Sequence, residues 1–335
     1  MMVVTGANGF LGSYVVATLL KNGFLVKGTI RKGSNSITFD KILKKELANE
    51  YGSLIKNFTW VEADILDILT LDEIFLDSKF VFHCAAMVSF NKKDKHQMMA
   101  INTNGTANVV NACIQCKIKK LIHVSSTAAI GRAENNKLIT EDTQWEESDN
   151  NTQYAISKYL AELEVWRGME EGLNAVIVNP GIILGAGNWQ QGSCKLFTNV
   201  ANGFKFYTRG VNGFVDVKDV AKAMLLLANS EIKNERFLLI GENKSYQALF
   251  NAIATVLNVK EPSIELKKKY RKLYIVVTKW VNIFNSNSTI TPETVNTSLS
   301  IHEYSNTKIK HALNFQFLPF EESINTIGKV YLLEN

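Results

Sequence analysis

From residue 2 to about 180, short runs rich in β-branched and aromatic residues alternate with longer stretches whose apolar positions recur at three- and four-residue steps. The short runs predict buried strands at Val3-Val4, Phe24–Ile30, Phe58–Glu62, Phe80–Cys84, Leu121–Val124 and Ala175–Val178. The longer stretches predict helices over Tyr14–Leu20, stopped by Asn22-Gly23, then Ser36–Tyr51, Leu71–Phe75, Asn102–Cys116 and Asn151–Glu171. Regular strand–helix alternation implies an α/β fold with a doubly wound parallel sheet. Beyond Gly181 the pattern loosens. Gly185–Gly192 reads as a mobile loop, Phe197–Ala201 and Asp219–Ala228 as helices, and Phe214–Val217 and Phe237–Ile240 as strands. The remainder is mainly helical, with Leu266, Tyr270, Leu273, Val277, Val281 and Phe284 on one face, as the core of a smaller C-terminal lobe. The expected division is 1–181 plus about 213–240 for the sheet domain, and about 182–212 plus 241–335 for a substrate-binding lobe.

The first twelve residues set the chemistry. A buried strand is followed by Gly6, Gly9 and Gly12 at three-residue spacing, and then by a helix. Gly6 allows a sharp turn, Gly9 lets backbone approach a pyrophosphate, and Gly12 lets the helix pack close to the sheet, so this is a Rossmann-type phosphate cradle. The second strand runs into Arg31-Lys32-Gly33-Ser34, with no acid before Asp40. A guanidinium there fits a 2′-phosphate where a carboxylate would repel it, so NADP(H) is favoured, with NAD(H) left open.

Composition narrows this only by exclusion. The net charge of +5 is spread over 37 basic and 32 acidic residues, which argues against nucleic acid or a membrane surface as partner. The apolar run Leu273–Phe284 is too short to span a bilayer, and a first strand at residue 2 leaves no room for a targeting peptide. The expectation is a cytoplasmic enzyme with a small-molecule substrate and no metal; a homodimer is left open. Cys113-Ile-Gln-Cys116 has no second pair and lies in a helical pattern, so it reads as packing, and His83 within an apolar strand reads as a core histidine.

Tyr154 and Lys158 lie four apart on a predicted helix and share a face. A nearby ammonium and an oxidised nicotinamide favour the phenolate and lower the tyrosine pKa. A serine from the strand edge at Ser125-Ser126-Thr127 then holds the substrate oxygen while Tyr154 exchanges its proton. A second such pair, Tyr304 and Lys308, lacks this setting and reads as a decoy.

Taken with Ala63-Asp64-Ile65, His83-Cys-Ala-Ala86, Asn102-x-x-Gly105-Thr106 and Asn179-Pro180-Gly181, these motifs resemble the extended short-chain dehydrogenase/reductases, or NAD-dependent epimerase/dehydratase family. The resemblance implies pyrophosphate contacts at Gly9, Phe10 and Leu11, and adenine contacts at Asp64 and Ile65. It also implies nicotinamide-side contacts at Ala85, Ala86, Tyr154, Lys158 and Asn179, and an ordering role for Asn102. Ser126-Thr127-Ala128 lacks the acidic pair of the dehydratases. Ala129-Ile130-Gly131 and Arg31 look more like dihydroflavonol 4-reductase and 3β-hydroxysteroid dehydrogenase relatives, and counting back from Gly131 favours Ser126 over Ser125 as the catalytic serine. The implied activity is an NADP(H)-dependent interconversion of a carbonyl and a secondary alcohol on an apolar or ring-bearing substrate. Its pocket is expected at Met87, Ser89, Phe90, Ile182–Gly192, Phe206, Tyr207 and Phe214. The alternatives are an NAD-dependent nucleotide-sugar epimerase, with Arg209 and Arg236 available for a diphosphate, and a non-enzymatic NADP-sensing protein.

Overall fold

In a computed structural model of the 335-residue chain, residues 1–89, 91–131, 138–148, 151–272, 274 and 292–335 are described. Phe90 of the expected pocket wall and Leu273, Val277, Val281 and Phe284 of the expected C-terminal helix lie outside them. Val3 and Val4 are fully buried on opposite faces of strand β1 (Met2–Thr5), as a central parallel strand requires. With β2 (Val26–Ile30), β3 (Phe58–Glu62), β4 (Phe80–His83), β5 (Lys120–Val124), β6 (Ala175–Pro180) and β10 (Glu235–Leu239), it forms a seven-stranded parallel sheet. The order is β10-β6-β5-β4-β1-β2-β3. On one face, helices α1 (Phe10–Lys21), α2 (Ile37–Leu47) and α9 (Val217–Asn229) cover Val4, Phe82, Ile122 and Val178. On the other, α4 (Ile68–Phe75), α6 (Gly105–Gln115) and α7 (Gln153–Glu170) cover Val3, Val81, Leu121 and Ile177.

Two helices differ from expectation. The helix expected over Ser36–Tyr51 stops at Leu47, because Ala48 sits at φ +45°, and the chain continues through short turns including α3 (Tyr51–Leu54). The helix expected from Asn102 starts earlier, at Lys95: α5 (Lys95–Met99) runs through a π turn at Ala100–Asn104 into α6.

The second lobe has its own core and its own sheet. Strand β7 (Ile182–Leu184) pairs parallel with β9 (Val211–Asp216), and β11 (Glu242–Ser245) pairs antiparallel on the other side of β9. The segment from about residue 213 begins in β9 of this small sheet, whose Val215 packs into the core of the large sheet, and continues into α9 and β10. A further pair, β8 (Phe206–Tyr207) and β12 (Ile264–Glu265), lies beside it. Helices α8 (Lys195–Ala201), α10 (Tyr246–Leu257) and α13 (Phe320–Glu334) pack around Phe197, Phe214, Leu249, Ile253 and Ile324. Helices α11 (Pro292–Ser298) and α12 (Thr307–Leu313) complete the described elements. The glycine-rich segment Gly185–Gly192 is tethered rather than free. The Tyr14 hydroxyl donates to Ala186 O at 2.8 Å, and the Trp189 indole N–H donates to Glu334 at 2.7 Å while its ring meets Tyr331 edge-on.

Asp219, in the first turn of α9, accepts the Leu318 amide at 2.8 Å and ties the C-terminal segment to the large domain. Burial pushes its carboxyl up to about 6. A carboxyl raised in the folded state holds its proton more tightly there than in the unfolded chain. Its contribution to stability is therefore full below the ordinary carboxylate value and is lost as pH rises through about 6. Asp219→Asn keeps an acceptor for Leu318 and is expected to flatten urea-denaturation stability between about pH 4 and pH 7, by up to about 1.4 kcal/mol per pH unit. An unchanged slope would assign that pH dependence to other groups.

Candidate active site

The chain leaves β1 at Gly6, whose φ of +65° suits glycine and whose missing Cβ would lie 2.7 Å from the Ala85 backbone. Gly12 is equally constrained, since a Cβ there would fall 2.2 Å from Gly6 O. Gly9, exposed, is the N-cap of α1; no side chain caps the helix and no acid stands in its first turn. The orphan N–H groups and positive dipole end of α1 therefore face an open crevice between β1 and β4, where strand order reverses. Leu11 is buried and the Phe10 ring packs by Gly185 and Gly187, so these two residues have only backbone to offer an anion. The residues present fit a dinucleotide pyrophosphate.

Beside the ends of β2 and β3 lies a cavity of about 440 Å³, lined by Arg31, Lys32, Ser34, Glu62, Asp64 and Asp67 among others. Arg31 and Lys32 are exposed there. The Asp64 carboxylate is engaged by the Leu66 amide at 2.9 Å. Ile65 points its side chain into the position left by Gly105, and its carbonyl accepts from Asn108, so its part in an adenine contact falls to backbone. This end of the crevice thus carries two exposed cations and carboxylates that belong partly to its own turns.

At the other end stand Ser126, Tyr154 and Lys158. Ser126 follows β5, accepts the Ala128 amide at 3.1 Å and is hydrogen-bonded to the Tyr154 phenol. Thr152 caps α7 by accepting Ala155 N, which fixes the turn that carries Tyr154. One turn on, Lys158 is 2% exposed and donates to Val124 O at 2.8 Å. Burial lowers the Lys158 ammonium to about 8, with Glu162 and Cys84 acting upward. Burial raises the Tyr154 phenol, and the Ser126 hydrogen bond opposes this.

Asn102 lies in the π turn between α5 and α6, a wider turn that displaces one residue from the regular helical register. Its Oδ1 accepts the Met87 amide at 2.7 Å and its Nδ2 donates to Met87 O and to Ser157 Oγ, each at 2.9 Å. It thereby pins the strip Ala85-Ala86-Met87 along the crevice. Asn179, fully buried at the end of β6, donates to Ser126 O at 3.0 Å and to Glu162 at 2.9 Å. Its Oδ1 has no hydrogen-bond partner among the described residues.

The pair of serines is divided by partners. Ser125 is 4% exposed and donates to Glu162 at 2.7 Å, whereas Ser126 meets Tyr154. Glu162, 2% exposed, and its ion-pair partner Arg236 at 3.0 Å were not singled out together from sequence. The signal was there, a carboxylate four residues after Lys158 on a face that also buries Ala161 and Val165. Arg236 also donates to Glu141 O at 2.8 Å, so it is committed to the fold, and Arg209 pairs with Glu265 at the surface. Among the expected pocket residues, Met87 and Ser89 are half-buried, but the Ser89 hydroxyl is spent on Asp94. Phe214, at 1% exposure, packs against Phe320 and Tyr246 in the core of the second lobe. Phe206 is exposed and Tyr207 half-buried. His83, hydrogen-bonded to Thr5 and Thr106, is pushed down to about 3 by burial and is a neutral core histidine. Tyr304 is buried with Ile139 and Ile240, and Lys308 pairs with Glu235, so that second motif builds structure. Cys113 is buried and Cys116 donates to Asp72 O, as helix packing. Among the described residues no cluster could hold a metal and no helix is long and apolar enough to cross a membrane.

Residues 2–241 match the model of the NAD-dependent epimerase/dehydratase family. Over 248 residues the chain is 29% identical to cinnamoyl-CoA reductase 1 of Petunia hybrida, covering 71% of this chain and 72% of that one. It is 28% identical over 192 residues to the bifunctional dihydroflavonol 4-reductase/flavanone 4-reductase of Malus domestica, covering 54% and 53%. The crystal structure of gox2253 superposes with a TM-score of 0.83 at 26% identity, covering 100% of this chain and 98% of that one.

The division of the serines is testable by stability. Ser125→Ala removes a hydrogen bond to a buried carboxylate and is expected to cost about 1.5–3 kcal/mol in urea denaturation. Ser126→Ala loses a cap and is expected to cost about 1 kcal/mol. Equal losses would contradict the separate assignments.

Proposed function

The chain belongs to the NAD-dependent epimerase/dehydratase family, and from that premise we propose that it is an NADP(H)-dependent reductase of a carbonyl on an apolar or ring-bearing substrate. It is an NAD(P)-dependent oxidoreductase of the extended short-chain dehydrogenase/reductase type. The observation that carries the finer reading is Tyr154 hydrogen-bonded to Ser126, one helical turn from Lys158, at the carboxyl edge of the sheet. The crevice from Arg31 past Gly9 to Asn179 would hold the dinucleotide, with Arg31 and Lys32 at the 2′-phosphate. A bound nicotinamide dinucleotide supplies the hydride and, when oxidised, a positive charge that favours the Tyr154 phenolate. Ser126 holds the carbonyl oxygen of the substrate. Tyr154 donates its proton to that oxygen as charge develops there. Lys158, held against Val124 O, presents an ammonium beside the ribose and the phenol. Met87 and the exposed Val88 offer an apolar wall next to this oxygen. The names of the two reductase relatives point to carbonyl compounds that carry aromatic rings, which fits such a wall.

The epimerase reading is less favoured because Arg236 is committed to Glu162 and Glu141 O. A purely sensing role is less favoured because the Ser, Tyr and Lys set is intact.

Fluorescence titration with NADPH and NADH tests the cofactor. NADPH is expected to bind more tightly, and Arg31→Ala to weaken it about tenfold or more with little effect on NADH. Tight NADH binding indifferent to Arg31, or NAD that co-purifies, would overturn the assignment. For the chemistry, Tyr154→Phe is expected to keep NADPH binding and to lower NADPH oxidation on a panel of aromatic aldehydes and ketones by about 10²–10⁴-fold. Unchanged turnover in this variant would remove Tyr154 from the role.

A further inference from the structure

We propose that Glu162 is a positioning residue of this site, fastening the ends of β5 and β6 to α7 and supplying a carboxylate one helical turn beyond Lys158. The proposal rests on the placement of Lys158 in the site described above. One carboxylate collects three strands. Its Oε2 accepts Ser125 Oγ from the end of β5 at 2.7 Å and Asn179 Nδ2 from the end of β6 at 2.9 Å, while Oε1 meets Arg236 of β10 at 3.0 Å. Asn179 passes the constraint on to Ser126 O at 3.0 Å. The backbone that carries the substrate-holding serine is thus fixed by a side chain that touches no reactant.

The same carboxylate governs charge. Around Lys158 are Glu162 from α7, His83 and Cys84 from β4 and its end, and His123 from β5, with Tyr154 one helical turn before it. Burial holds both histidines neutral and pushes the Cys84 thiol up to about 12. Glu162, ion-paired with Arg236 at 3.0 Å and one helical turn beyond Lys158, opposes the burial that lowers Lys158. Arg236 and the Glu141 carbonyl behind it keep that anion from being an unpaired buried charge.

The test follows Lys158 directly in the full-length protein, by NMR of lysines labelled with ¹³C at Cε and ¹⁵N at Nζ, the signal being assigned by its disappearance in Lys158→Arg. Wild type is expected to titrate near about 8. Glu162→Gln keeps size and acceptor but removes the charge, and should lower the midpoint by about one pH unit or more. Arg236→Gln leaves the carboxylate and removes its counter-cation, so it should move the midpoint upward, and it serves where Glu162→Gln does not fold. A structural role alone would not move Lys158 in opposite directions. Midpoints within about 0.3 unit of wild type in the folded variants would overturn the proposal. No cofactor is needed for this readout, so a failure to bind NADPH would strike the proposed function and leave the Glu162 result standing.

Discussion

Everything in this molecule depends on β1 pairing in parallel with both β2 and β4. Because the chain builds outward to β3 on one side and then crosses back to β4 on the other, no crossover helix covers the carboxyl ends of β1 and β4. That uncovered edge receives the Gly6 turn, the free N-terminus of α1 and the Ala85–Met87 strip. The tight contacts are backbone to backbone, as the missing Cβ atoms at Gly6 and Gly12 demonstrate. A crevice made this way is preformed and presents N–H groups to an anion without ordering any side chain.

The chemistry at the far end of the crevice depends on buried polar groups that the same topology stacks at the edge. Ser126 and Asn179 end neighbouring strands, and α7 lies across them. Taking Tyr154 and Lys158 out of water costs both of them their charged forms. The structure offsets this with partners that are buried or half-buried: Val124 O and Glu162 for Lys158, Ser126 for Tyr154, and Arg236 for Glu162. Such a network is rigid because each member loses a charge-assisted bond if it moves.

These two layers explain what could be read from the sequence. Strands such as Val3-Val4 and Phe58–Glu62, and the glycine spacing, declare themselves locally, since burial and turn geometry select residue types at adjacent positions. Strand β11, Glu-Asn-Lys-Ser, shows no alternation because all four of its residues are half-buried, and Lys95–Met99 hides a helical turn behind charged residues. Phe214 looked like a pocket wall because aromatic content says nothing about which way a side chain faces; β9 turns it inward onto Phe320. Glu162 left only a partial signal, a carboxylate four residues after Lys158 on α7. A carboxylate on an apolar helix face has meaning only once Arg236, 74 residues away, is folded beside it.

Burial also bears on the direction in which the tyrosine works. Desolvation raises Tyr154 and lowers Lys158, and both movements favour the neutral form of the group. Glu162 acts against the burial that lowers Lys158, and the Ser126 hydrogen bond acts against the burial that raises Tyr154. The combination that results at neutral pH is a protonated phenol beside an ammonium, the state from which a proton can be delivered to a carbonyl oxygen as it gains negative charge. The reverse reaction needs the phenolate, which burial of Tyr154 disfavours. Under the proposed function, a bound oxidised nicotinamide would add a positive charge that favours this phenolate, tying the basicity of Tyr154 to the redox state of the cofactor.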